Sequence, residues 1–206
     1  MDKVKYRTIS IYKAMEDIKS DRIILPSIQR KFIWDHVRVE ELFDSLMRGY
    51  PIGTFLFWKI EGRKHIRDYV FYKFIHNIAK GSNWNEKIQK FQHNSIKSVL
   101  DGQQRLTALY SAFYGIFKYK TPYKKRLSKD AFPDRFLCIN ILYAKKHEDD
   151  MDFQFLYKTE QEKKIINEKH LWFSVNTLVE IDKPDDCWDY SIDYVDRLLN
   201  QNDDEI

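Results

Sequence analysis

Five consecutive residues, Asp101, Gly102, Gln103, Gln104 and Arg105, sit inside the segment SVLDGQQRLTALY, residues 98–110. Ser98-Val99-Leu100 is strand-like, and Leu106, Leu109, Tyr110 and Phe113 follow at helical spacing, so the five lie where a strand turns into a helix. Such a junction presents the unpaired N–H groups of a helix's first turn, which together with the helix dipole favour an anion. Gly102 has no side chain to hold an anion off the backbone. Arg105 can give a phosphate a forked, charge-assisted contact. Gln103 and Gln104 can donate to phosphate or base, or orient a water. Asp101 can hold a magnesium ion through water, or accept from a ribose or a nucleophilic water. The chemistry is that of a nucleotide phosphate site, with Asp101 as candidate metal ligand and Asp101, Gln103, Gln104 and Arg105 as candidate catalytic groups. It is not the P-loop pattern, which needs Gly-Lys-Ser/Thr. The same residues also read as a plain turn opening a helix with solvated side chains.

A second cluster is cationic. Lys118, Lys120, Lys124, Lys125, Arg126 and Lys129, with Tyr119 and Tyr123 between them, form a loop interrupted by Pro122. Such a loop can track a DNA backbone, or simply be solvated. The pairs His76-Asn77 and His93-Asn94 lack the second histidine and the ββα setting of an HNH nuclease and read as surface groups. The run HEDD, residues 147–150, reads as a solvated acidic turn rather than a cation site.

The elements that must position these groups are legible in part. Ser10 caps a helix reaching Lys19, with Ile11, Ala14, Met15 and Ile18 as its apolar stripe. RIILP is a short strand stopped by Pro26, and residues 27–34 form a polar and aromatic loop. In that loop Phe32 and Trp34 read as core rather than base-stacking residues. Asp35 caps a helix over 36–48 that ends at Gly49, and TFLFWKI is a strand. Residues 61–96 give no clear period, though 85 onward has helical character. Further strands are expected at IKSVL, RFLCINIL and DFQFLY, with helices over 103–117 and 188–200. Five strands interleaved with helices predict an α/β or α+β chain too small for a large doubly wound sheet.

Bulk properties narrow the class. A chain of 206 residues with 43% hydrophobic and 32% charged residues fits a globular domain. No apolar run reaches the roughly 20 residues of a membrane span, and MDKVKYRTIS has no apolar core of a secretory signal. The two cysteines, Cys138 and Cys187, make no disulfide or zinc framework, and the expected compartment is the cytoplasm. The net charge of +4 is uneven: from Glu180 onward ten acidic and two basic residues give −8, leaving +12 for the rest. A basic body suits an anionic partner. The expected division is a domain over 1–180 and an acidic segment, 181–206, that leads on to a further domain. The oligomeric state is not specified, and a homo-oligomer is allowed.

The DGQQR stretch resembles the motif of the DGQQR family of bacterial defence proteins, the GmrS-like N-terminal domain of GmrSD-type restriction systems. The block LPSIQRKFIWDHVRVEELFDSLMRGYPIGTFLFW, residues 25–58, resembles that family's opening block through Pro26, Gln29, Arg30, Phe32, Trp34, Pro51 and Gly53. The resemblance implies an α+β fold of the ParB/sulfiredoxin-like kind, a small mixed sheet flanked by helices. It also implies binding and hydrolysis of a nucleoside triphosphate with Mg2+, the base being unspecified. Gln29 and Arg30 then join Gly102 and Arg105 as phosphate-binding residues. The implied setting is anti-phage restriction of modified DNA, with a nuclease domain or subunit of HNH type as partner. The alternative is a sensor that binds nucleotide or modified DNA without turnover.

Overall fold

The computed structural model describes residues 6–28, 30–79, 84–128, 130–146 and 149–180. The acidic segment, the helix expected over 188–200, Cys187, Gln29, Lys129 and residues 147–148 lie outside the described residues.

The fold begins with α1 (Ile11–Lys19), whose Ser10 hydroxyl accepts from the Lys13 N–H. Ala14, Met15 and Ile18 are buried on one face, as the stripe requires. Strand β1 (Ile23–Pro26) follows, then α2 (His36–Met47), capped by Asp35 accepting from Arg38 N–H. Next come β2 (Leu56–Glu61), the short α3 (Arg63–Arg67), and two-residue strands β3 (Phe71–Tyr72) and β4 (Ile78–Ala79). Strand β5 (Ser95–Asp101) leads into α4 (Gln103–Tyr114), and β6 (Phe117–Lys118) follows it. The last described part holds β7 (Phe136–Asn140), β8 (Phe155–Lys158), α5 (Glu160–Lys163) and β9 (Trp172–Ser174).

The architecture is α+β. A mixed sheet has the order β2-β5-β1-β3, with β5 and β1 parallel and the outer pairings antiparallel. An antiparallel sheet, β8-β7-β9, and the parallel pair β4-β6 complete it. Alternation along β1 sends Ile23 and Leu25 into the main core with α1, α2 and α4, and Ile24 to the other face. There Ile24 meets Ile60, Ile66, Phe71, Ile88 and Ile96. The segment after β2 therefore covers the back of the mixed sheet through Ile66, Phe71 and Ile88, while its Phe74 and Ile78 join the main core. It does so without helix after Asn85, where Lys87 bridges Tyr72 instead. The expected helical character there was wrong because a covering segment needs only spaced apolar anchors such as Ile88.

Two further expectations are corrected. The described residues hold nine strands rather than five, because β3, β4, β6 and β9 have only two or three residues and carry no alternation. The helix expected over 103–117 ends at Tyr114, since Phe117–Lys118 pair with Ile78–Ala79.

Helix α2 joins the two larger sheets. Glu40 and Asp44, one turn apart, are both buried. Glu40 Oε1 accepts from Tyr157 N–H at 3.0 Å, and Asp44 Oδ1 accepts from Asp152 and Phe153 N–H at 2.9 and 2.8 Å. Carboxylates on a helix thus satisfy backbone donors at and just before β8.

Candidate functional site: the turn between β5 and α4

The turn is built from a bulge and a glycine. Leu56 pairs with Asp101 and Phe57 with Val99, so Leu100 is an extra residue in β5 that re-aims the end of the strand. Gly102 then takes φ 89°, a left-handed conformation, and serves as the N-cap of α4 without any side chain to cap it. A Cβ at Gly102 would also run into the Phe55 ring. Leu106 N–H closes the first backbone bond of the helix on Gly102 O at 3.0 Å. Ahead of it stand the N–H groups of a first helical turn that its own cap residue does not cover.

The side chains of the stretch mostly face inward. Gln103 donates to Val99 O at 2.9 Å. Gln104 spends both ends of its amide on the 27–35 loop, donating to Lys31 O and accepting from Ile33 N–H, each at 3.0 Å. Arg105 donates to Ile52 O and, at 2.9 Å, to Thr54 O, and its guanidinium lies 4.8 Å from the centre of the Phe55 ring. Gly53, at φ 86°, passes so close that a Cβ there would strike the guanidinium. Asp101 alone among the charged groups of the stretch projects outward: its side chain is 73% exposed against 22% for Arg105, 3.8 Å away.

The stretch is therefore a hub. Gln104 holds one flanking loop and Arg105 holds the other, across 71 to 73 and 51 to 53 residues of sequence. Arg30 is exposed on the first of these loops, beside the gripped Lys31. In the same loop Phe32 is buried, and Trp34 packs against the core with Arg38 5.7 Å over its ring.

The cationic loop is anchored by Arg135, a buried guanidinium that donates to Tyr119 O and the Thr121 hydroxyl, both at 2.8 Å. Tyr119 is stacked on His36, ring centres 3.9 Å apart, and burial pushes its phenol up to about 12. Burial, with the nearby Arg135 charge, lowers the His36 imidazole. Lys118 is paired with Asp134 at 2.7 Å. Lys120, Lys124, Lys125 and Arg126 are exposed, as is Tyr123 between them.

A model for the GmrSD restriction endonuclease N-terminal domain matches residues 11–203. The chain belongs to that family. An uncharacterized protein of Methanocaldococcus jannaschii is 34% identical to it over 167 residues, covering 77% of this chain and 24% of that protein. The chain thus spans about a quarter of that relative's length.

In this GmrSD-type domain the sequence signal did not reveal what the glutamines and Arg105 hold, because their partners are backbone atoms. Phe55, which walls the turn, had no signal beyond its place in a strand. No group of three or more His, Cys, Asp or Glu gathers into a metal cluster among the described residues. Asp149, of the acidic run, accepts from the Tyr143 hydroxyl and Lys146 N–H, which hold its carboxyl below the usual range. Two surface concavities, of about 220 and 470 Å³, lie beside Gly115 and beside Tyr143, away from the β5–α4 turn. No described helix is long and apolar enough to cross a membrane.

Proposed function

We propose that this restriction-family domain binds a nucleoside triphosphate with Mg2+ at the β5–α4 turn and hydrolyses it, in the service of an HNH-type nuclease domain or subunit that cuts modified phage DNA. The observation that carries the reading is the glycine-capped first turn of α4, opening beside an outward-facing Asp101. Backbone amides and dipole meet the phosphates, Gly102 lets them approach, and Asp101 holds the magnesium ion through water. Arg30 supplies a cation from the loop that Gln104 holds. Gln103, Gln104 and Arg105 shape the site, and reach phosphate or water only by releasing their backbone partners. The mixed sheet with α1, α2 and α4 on one face and the short α3 on the other also supports a ParB/sulfiredoxin-like assignment.

A second reading is a sensor that binds nucleotide or modified DNA without turnover. It is favoured by the engagement of both glutamines, which leaves the exposed Asp101 carboxylate, paired with Arg105 at 3.8 Å, as the group of the stretch that can act on water.

Titration calorimetry of the chain with ATP, GTP, CTP and UTP plus Mg2+ tests both. The expected result is binding of at least one, weakened by Arg30→Ala, with phosphate release abolished in Asp101→Asn. Both variants change exposed groups, and because Asp101 pairs with Arg105 at 3.8 Å a thermal melt of Asp101→Asn checks that the hub is kept. Binding without phosphate release selects the sensor, and no heat with any of the four overturns both nucleotide readings.

A further inference from the structure

Trp84 is 70% exposed, the most exposed of the four described tryptophans. An exposed indole keeps a large aromatic face open to solvent. The Lys31 ammonium lies 3.9 Å from the ring centre, so the indole is held on one side by a cation. Lys31 is also the residue whose carbonyl Gln104 grips, at the start of α4. Trp84 therefore stands within a lysine side chain's reach of the hub. Arg30 is exposed beside Lys31, and the same loop exposes Ile28 and Ile33.

An exposed indole carrying one lysine ammonium on its ring, on a lysine whose loop also exposes Arg30, matches one ligand chemistry, a planar aromatic base carrying phosphate. Bases stack on indole whatever their identity, while lysine and arginine meet the phosphate. We infer that Trp84 is the base-stacking residue of this domain and takes the nucleobase of a nucleotide whose phosphates lie toward Arg30 and Lys31. The inference deepens the nucleotide reading and rests on it for a free triphosphate. An unpaired nucleotide of a DNA strand offers the same chemistry.

The test titrates wild type, Trp84→Ala and Trp84→Phe with the four nucleoside triphosphates plus Mg2+, with inorganic tripolyphosphate, and with a short single-stranded DNA oligonucleotide. Trp84 is exposed, so both variants are expected to fold, and a thermal melt checks this. The expected result is a loss of about ten-fold or more in triphosphate or oligonucleotide affinity for Trp84→Ala, recovered largely by Trp84→Phe, with tripolyphosphate affinity unchanged. If the oligonucleotide alone binds and needs Trp84, the stacking site stands and the free-triphosphate reading falls. If triphosphates bind equally well to wild type and Trp84→Ala and the oligonucleotide shows no dependence, the stacking inference is overturned and the triphosphate reading survives. Absence of binding by wild type to both ligands overturns the two together.

Discussion

Arg105 gives its guanidinium to the carbonyls of Ile52 and Thr54, and Gly53 between them is bare because a Cβ would strike it. Arginine suits this place because its planar fork spans two acceptors that a lysine ammonium would serve only one at a time. Arg105→Ala strands both carbonyls and is expected to cost roughly 1–3 kcal/mol of stability. Gly53→Ala is expected to cost about 1 kcal/mol or more, from its left-handed φ and from the collision. The two changes should not add. With the guanidinium gone the new methyl has nothing to strike, so the double variant should fall short of the sum by about 0.5 kcal/mol or more in urea denaturation. Additive costs would mean that Gly53 serves its own backbone rather than Arg105.

At the scale of elements, α2 holds the β8-β7-β9 sheet through Glu40 and Asp44. Burial pushes the Glu40 carboxyl up to about 7 from its ordinary 4.5, although the Tyr157 N–H pulls it down. A carboxyl raised on folding contributes its stability in full below about pH 4.5 and loses it as pH rises through about 7. Glu40→Gln keeps an acceptor for Tyr157 and cannot ionise. The variant is therefore expected to be more stable than wild type at pH 9 by roughly 2–3 kcal/mol and to differ little at pH 4. Chemical denaturation across that range measures the difference, and parallel profiles would refute the buried ionisation. Helix α4 plays the corresponding part for the site: its first turn holds two loops that the chain order keeps far apart.

For the whole molecule, charge is the governing feature. The body up to residue 179 carries +12, and the loop around 118–126 concentrates exposed cations. If that loop tracks a DNA backbone, affinity falls with salt in proportion to the phosphates neutralised. Replacing Lys124, Lys125 and Arg126 by Ala should lower the slope of log affinity against log salt by about 2 to 3. Lys118→Ala should change it little, because Lys118 is already paired with Asp134. An unchanged slope in the triple variant would remove the loop from any DNA interface.

Local features were legible in the order of residues alone. The caps at Ser10 and Asp35, the apolar faces of α1 and α2, the longer strands and the strand-to-helix turn at Asp101–Arg105 all follow from spacings within a dozen residues. The sequence also carried the family, since the GmrSD N-terminal domain model matches it over residues 11–203. Tertiary structure decided what those motif residues touch. Gln104 and Arg105 read as phosphate or water ligands in isolation, yet their partners are carbonyls and an amide more than fifty residues away. Tyr119 read as an interleaved aromatic of the basic loop, yet it is stacked on His36. Trp84 sat in the stretch with no period, and only the approach of Lys31 set it apart. A hydrogen bond or ring contact across the fold leaves no periodic trace, since it needs only one residue at each end and a chain that brings them together.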